Sequence, residues 1–165
     1  MSATSTASLE NLSSLLWRER ELLELLLYKL EVEQLVLTGG KQQWLAAAAR
    51  EVEAVLEEIR DVELLRAVCV DAAAADLGLP AAPSLAEIAQ ACTEPWRGIW
   101  LDHRESFTTV TTQITEMSQG NRVLLTAGYQ AAQATLLALS GGSGTYGADG
   151  AVASGRPASM IDWNL

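Results

Sequence analysis

The sequence predicts an all-α protein, in which a long antiparallel helical hairpin and a long third helix form a three- to four-helix bundle with a flexible C-terminal tail. Three observations predict this class. Apolar residues recur at intervals of three and four along three long segments, and each segment is bounded by glycine, proline or small polar residues. Alanine and leucine supply much of the 49% hydrophobic content, whereas only 5% of the 165 residues are aromatic.

The first predicted helix runs from about Ser8 to Leu37, after a disordered N-terminus at 1–8. Leucines form a single stripe along it, and Glu19 and Glu33 fill the two gaps in that stripe. Thr38-Gly39-Gly40 then ends the helix, because glycine readily adopts the left-handed conformation of a helix C-terminus. The leucines of the stripe are Leu9, Leu12, Leu16, Leu23, Leu26, Leu30 and Leu37.

The second predicted helix begins within a few residues and ends at Gly78. Its stripe has one polar interruption, Arg66, and its other members are Leu45, Ala48, Val52, Val55, Ile59, Val62, Cys69 and Ala73. A connection of about three residues between two such long helices requires an antiparallel hairpin.

A short helix and a long last helix complete the predicted bundle domain, 9–139. Ser84 is placed to cap the short helix, with Glu87 at the capping-box position. The last helix runs from about Trp96 to Leu139, and its stripe alternates steps of four and three, as in a coiled-coil seam. The stripe comprises Trp96, Trp100, His103, Phe107, Val110, Ile114, Met117, Asn121, Leu124, Gly128, Ala131 and Thr135.

This stripe must be covered by other helices, by another protein, or by both. Ordering about 40 residues costs about 1–2 kcal/mol each, whereas burying about ten apolar side chains returns only about 1.5–3 kcal/mol each. From Ser140 onward the periodicity stops, and the small residues of 140–165 predict a flexible tail.

Composition argues against several classes of function. The net charge of -10 makes nucleic acid and anionic membrane surfaces poor partners. No apolar run approaches the roughly 20 residues needed to span a bilayer, and the small, polar N-terminus indicates no secretory signal. His103, the single histidine, lacks a second ligand at helical spacing, so we interpret it as a seam residue. Nothing in the sequence predicts an enzyme, a metal site or a cofactor.

Two local motifs go beyond a generic helical bundle. The first is Asn121-Arg122-Val123-Leu124-Leu125, continued by Gly128 and Tyr129, and the second is Tyr146-Gly147-Ala148-Asp149-Gly150 in the tail. In this order, after a long helical hairpin, they resemble the FlgN family of flagellar export chaperones. The architecture is similar over about residues 9 to 150, and only the last third carries distinctive motifs. The final stretch, residues 156–165, matches no motif of the family.

The resemblance implies a cytoplasmic chaperone that binds hook-associated proteins before export and delivers them to the flagellar type III export gate. In the family the C-terminal helical region binds a terminal helical segment of the client. The matching client-binding residues here are Asn121, Leu124, Leu125, Gly128, Tyr129, Ala132 and Leu136. The tail residues Tyr146, Gly147, Asp149 and Gly150 are implied to dock on the export-gate membrane protein.

Two alternatives stay open from the sequence. Asn121 could fix the register of a helical seam instead of contacting a client. The whole chain could instead be a structural coiled-coil subunit that self-assembles through the last helix.

Overall fold

The computed structural model describes residues 3–141, and its side chains at 6–140. Four α-helices and one 3-10 turn account for the described fold. They are α1 (Ala3–Thr38), the turn Gln42–Trp44, α2 (Leu45–Leu77), α3 (Leu85–Ala91) and α4 (Trp96–Gly141). No strand occurs among residues 3–141, so the predicted all-α class is confirmed. The described residues fall into two units, one up to residue 125 and one from residue 126 onward, which are described separately below.

α1 begins earlier than predicted. The helix starts at Ala3 instead of near Ser8, so residues 3–8 are helical where disorder was expected. Extending an existing helix costs far less than nucleating one, and Ala3 and Ala7 are strong helix formers. The first core residue, Leu9, is fully buried and fixes this end of α1 in the bundle.

α1 and α2 form the predicted antiparallel hairpin. Arg18 of α1 pairs with Glu58 of α2 at 3.2 Å, and Lys29, further along α1, pairs with Glu51, earlier in α2, at 2.7 Å. The predicted leucine stripe of α1 is buried from Leu9 to Leu30. Leu22 is also buried, because α1 packs against more than one neighbour and its buried face is wider than one stripe.

Two of the polar residues that interrupt the predicted stripes, Glu19 of α1 and Arg66 of α2, form an ion pair. Glu19 of α1 is 1% exposed and accepts a hydrogen bond from Arg66 Nη1 of α2 at 3.0 Å. The pKa of Glu19 is raised to about 7, chiefly by burial. The Arg66 charge opposes this rise, and the Glu63 carboxylate adds to it. The carboxyl group therefore titrates near neutral pH inside the bundle.

Both predicted helix ends before α3 are confirmed, and so is the cap of α3. Gly78 ends α2 in the left-handed conformation, with φ 69°. Ser84 Oγ accepts from the Glu87 backbone N–H at 3.3 Å, and Glu87 Oε2 accepts from the Ser84 N–H at 2.7 Å. This last hydrogen bond is the main cause of the lowered pKa of Glu87.

We expect Ser84→Ala to lower the free energy of unfolding by about 1 kcal/mol, because it removes the side-chain acceptor at the N-cap of α3. Urea titration of both proteins measures the difference. The matched control is Ser118→Ala, at an exposed position inside α4, where alanine should leave stability unchanged or slightly raised. An equal loss in both variants would contradict the capping role of Ser84.

Candidate functional site

The first part of α4 is a core element. Its stripe is buried at Trp100, His103, Phe107, Val110 and Ile114, as predicted. α4 runs parallel to α1: Arg20 pairs with Asp102 at 2.9 Å, and the later residue Leu30 accepts a hydrogen bond from Asn121. The stretch of α4 from Trp100 to Ile114 therefore packs in the core of the bundle.

His103 is a buried seam histidine, as interpreted from the sequence. Its ring lies 5.0 Å from that of Trp17, edge-on, and 6.2 Å from that of Phe107. Desolvation, together with the nearby Arg20 charge, lowers the pKa of His103, so the ring is neutral at pH 7. No group of His, Cys, Asp or Glu side chains that could hold a metal ion occurs among residues 3–141.

Asn121 belongs to the core, which corrects its assignment to a client surface. The side chain is 2% exposed, and its Nδ2 donates to the Leu30 carbonyl at 2.8 Å and to Glu33 Oε2 at 2.9 Å. Glu33, the second polar gap in the α1 stripe, is 8% exposed. A seam asparagine bound to one carboxylate and one carbonyl fixes how α4 lies along α1. The alternative role left open by the sequence is thus the one the structure supports.

Beyond Asn121 the side chains of α4 become exposed. Leu124 is half-buried, Leu125 is 39% exposed, and every described residue from 126 to 140 is exposed. Gly128, Ala131 and Thr135 continue the heptad spacing without being buried. The regular stripe therefore has a buried part and an uncovered part.

The exposed part carries large apolar side chains. Tyr129 is 65% exposed and Leu136 is 66% exposed, and Gly128 and Ala132 are exposed beside them. Three further apolar residues, outside the predicted set, are exposed to a similar degree: Val123, Leu137 and Leu139. For Leu137 and Leu139 the signal in the sequence was the run Leu136-Leu137-Ala138-Leu139, which places apolar residues on several faces of one helical turn.

Polar side chains within this segment hydrogen-bond to one another or to the helix backbone. Gln133 Nε2 donates to the Tyr129 hydroxyl at 2.8 Å, and the Thr135 hydroxyl donates to the Ala131 carbonyl at 2.9 Å. Hydration of this many exposed leucines on one helix costs free energy. A partner that covers them would remove that cost, so such a surface is typical of a binding site. The four predicted docking residues of the tail, Tyr146, Gly147, Asp149 and Gly150, lie outside the described residues.

The fold and this surface define a class of protein. An all-helical protein whose longest helix carries exposed apolar side chains toward its C-terminal end is suited to binding another helix. None of the helices within residues 3–141 has a stretch long and apolar enough to cross a membrane.

Comparison with known families makes the assignment specific. The chain matches the FlgN family, described as FlgN protein, over residues 1–154. It therefore belongs to the FlgN family, a family of flagellar export chaperones and not of enzymes. Membership implies binding to flagellar proteins. No curated protein and no solved structure matches the chain.

Proposed function

We propose that this protein is a cytoplasmic chaperone of flagellar type III export that binds hook-associated proteins, prevents their premature assembly and delivers them to the export gate. The observation that carries the proposal is the uncovered apolar segment at the end of α4. A family of export chaperones must hold its clients reversibly, and an exposed helical surface does so without a catalytic residue.

The client surface consists of the predicted residues that are exposed: Leu125, Gly128, Tyr129, Ala132 and Leu136. Leu124, also predicted, is half-buried. Counted from Leu125 as i, the other four exposed residues lie at i+3, i+4, i+7 and i+11, which places them on one helical face. A terminal helix of the client packs on such a face through its own residues at i, i+3, i+4 and i+7. Gly128 and Ala132 have small side chains, which let the backbone of the client helix approach closely. The partner segment is a C-terminal helix of a hook-associated protein.

Binding to purified hook-associated proteins tests this surface. We expect the double variant Leu125→Asp with Leu136→Asp to weaken binding by about a hundredfold or more, because each aspartate must lose its hydration in the complex. Titration calorimetry with full-length protein gives the affinities, and thermal unfolding shows whether the variant stays folded.

The matched control is Leu64→Asp with Leu65→Asp on α2. These leucines are 71% and 57% exposed and the change adds the same charge, so we expect affinity within about threefold of wild type. Equal weakening by both double variants would contradict the proposed surface. Self-association of the wild-type chain, abolished by Leu125→Asp with Leu136→Asp and accompanied by no client binding, would establish the structural coiled-coil subunit instead.

Delivery is proposed to use a separate site in the tail. Tyr146, with Gly147, Asp149 and Gly150 beside it, docks on the export-gate membrane protein. Tyr146→Ala should leave client affinity unchanged but reduce secretion of hook-associated proteins from flagellated cells. Loss of client affinity in this variant would show that the two sites are not separate.

A further inference from the structure

A groove between α1 and α4, within residues 1–125, has no role in the client surface proposed above. On α1 the groove is lined by a second heptad-spaced stripe, next to the core stripe: Arg20, Glu24, Leu27, Glu31 and Gln34. The facing positions on α4 have the same spacing: Asp102, Ser106, Thr109, Gln113 and Glu116. Two adjoining cavities of about 590 and 300 Å³ share Leu27, Glu31 and Gln113, so the groove is continuous.

Because α1 and α4 run parallel, the groove between them has a shape that accommodates one added helix. Steps of four and three on both walls keep matching rows of side chains facing an added helix over several turns. The α1 wall from Arg20 to Gln34 spans 15 residues, or about 21 Å at 1.5 Å per residue. Accessible apolar side chains are present along it: Leu27 and Met117 are half-buried, and Tyr28 is 56% exposed. Val110, which is 7% exposed, forms the floor between them.

The charges along the groove are negative and largely unpaired. Arg20 holds Asp102 in an ion pair at 2.9 Å. In the part of the chain that the structure describes, no basic side chain pairs with Glu24, Glu31, Glu105 or Glu116. An acidic helix or a second copy of this chain, with its net charge of -10, would be repelled here. Charge complementarity therefore selects a cationic occupant.

We propose that the α1–α4 groove is a docking site for a cationic amphipathic helix of a partner protein. Such a helix, about four turns long, places its apolar stripe on Leu27, Tyr28 and Met117. Lysine or arginine on its flanks reaches the free carboxylates on both walls. The site is distinct from the client surface and does not rest on the proposed function.

The test uses a synthetic helical peptide of about 18 residues, with leucine in the apolar stripe and lysine on both flanks, and a second peptide with glutamate in place of lysine. Full-length protein is expected to bind the lysine peptide and not the glutamate peptide. Neutralising the groove with Glu24→Gln, Glu31→Gln, Glu105→Gln and Glu116→Gln should weaken binding of the lysine peptide by about tenfold.

The matched control removes the same number of exposed acidic charges from α2, by Glu53→Gln, Glu57→Gln, Asp61→Asn and Asp76→Asn. It should change affinity by less than about twofold. Amide chemical shifts of the wild-type protein should move at Thr109 and Gln113 on adding the peptide. Equal weakening in both quadruple variants, or shift changes confined to residues 126–140, would overturn the proposal, because binding would then reflect overall charge or the client surface.

Discussion

Phe107→Ala is expected to lower the free energy of unfolding by about 3–5 kcal/mol, the largest single effect on stability that we predict. Phe107 is 1% exposed and lies in the part of α4 that packs in the bundle, with its ring 6.2 Å from that of His103. Truncation removes the transfer free energy of a whole ring and leaves a cavity that rigid helices cannot close. Denaturant titration monitored by circular dichroism measures the loss.

Leu64→Ala is the control for this substitution. Leu64 is 71% exposed on α2, so its truncation should change stability by no more than about 0.5 kcal/mol. A loss below about 1 kcal/mol for Phe107→Ala would mean that the first part of α4 is not packed as described.

Arg66→Leu is expected to destabilise the protein by about 3 kcal/mol at pH 8 but by only about 1 kcal/mol at pH 5. At pH 8 the substitution leaves a buried Glu19 carboxylate without its counter-charge. At pH 5 Glu19 is protonated, because its pKa in the folded protein is about 7, and only a hydrogen bond is lost. Urea titrations at the two pH values give both differences.

The same group sets the sign of the wild-type pH dependence. Because the folded-state pKa lies above the ordinary value of 4.5, the folded chain binds more protons than the unfolded chain between pH 4.5 and about 7. The contribution of Glu19 to stability is therefore full at acidic pH and is lost as the pH rises through 7. In a Glu19→Gln background the cost of Arg66→Leu should be equal at pH 5 and pH 8, and a difference that persists there would assign the pH dependence to another group.

The spacing of apolar residues predicted the helices and most of the core. An amphipathic helix has apolar residues every three or four positions, regardless of which element packs against them. Leu9 to Leu30 and Trp100 to Ile114 are buried as the stripes indicated. The same periodicity could not show that Glu19 meets Arg66 or that Asn121 meets Glu33, since these pairs are separated by 47 and 88 residues and depend on how the helices align.

For the site, the sequence predicted an apolar helical face but not where its burial ends. The heptad spacing continues from Ile114 through Asn121 to Thr135 without a break, although the residues of the stripe after Asn121 are half-buried or exposed. Spacing is a property of one helix, whereas burial depends on what packs against that helix. Asn121 was therefore assigned to the client surface from its motif, and only its hydrogen bonds to Leu30 and Glu33 place it in the core.

Hydrogen–deuterium exchange of the full-length protein, alone and bound to a hook-associated protein, tests the central proposal most directly. We predict that client binding slows exchange of the amides at 125–140 and leaves exchange in α2 unchanged, because the client helix covers the end of α4. Protection of α2 with no change at 125–140 would contradict the account, since the client would then bind a different surface.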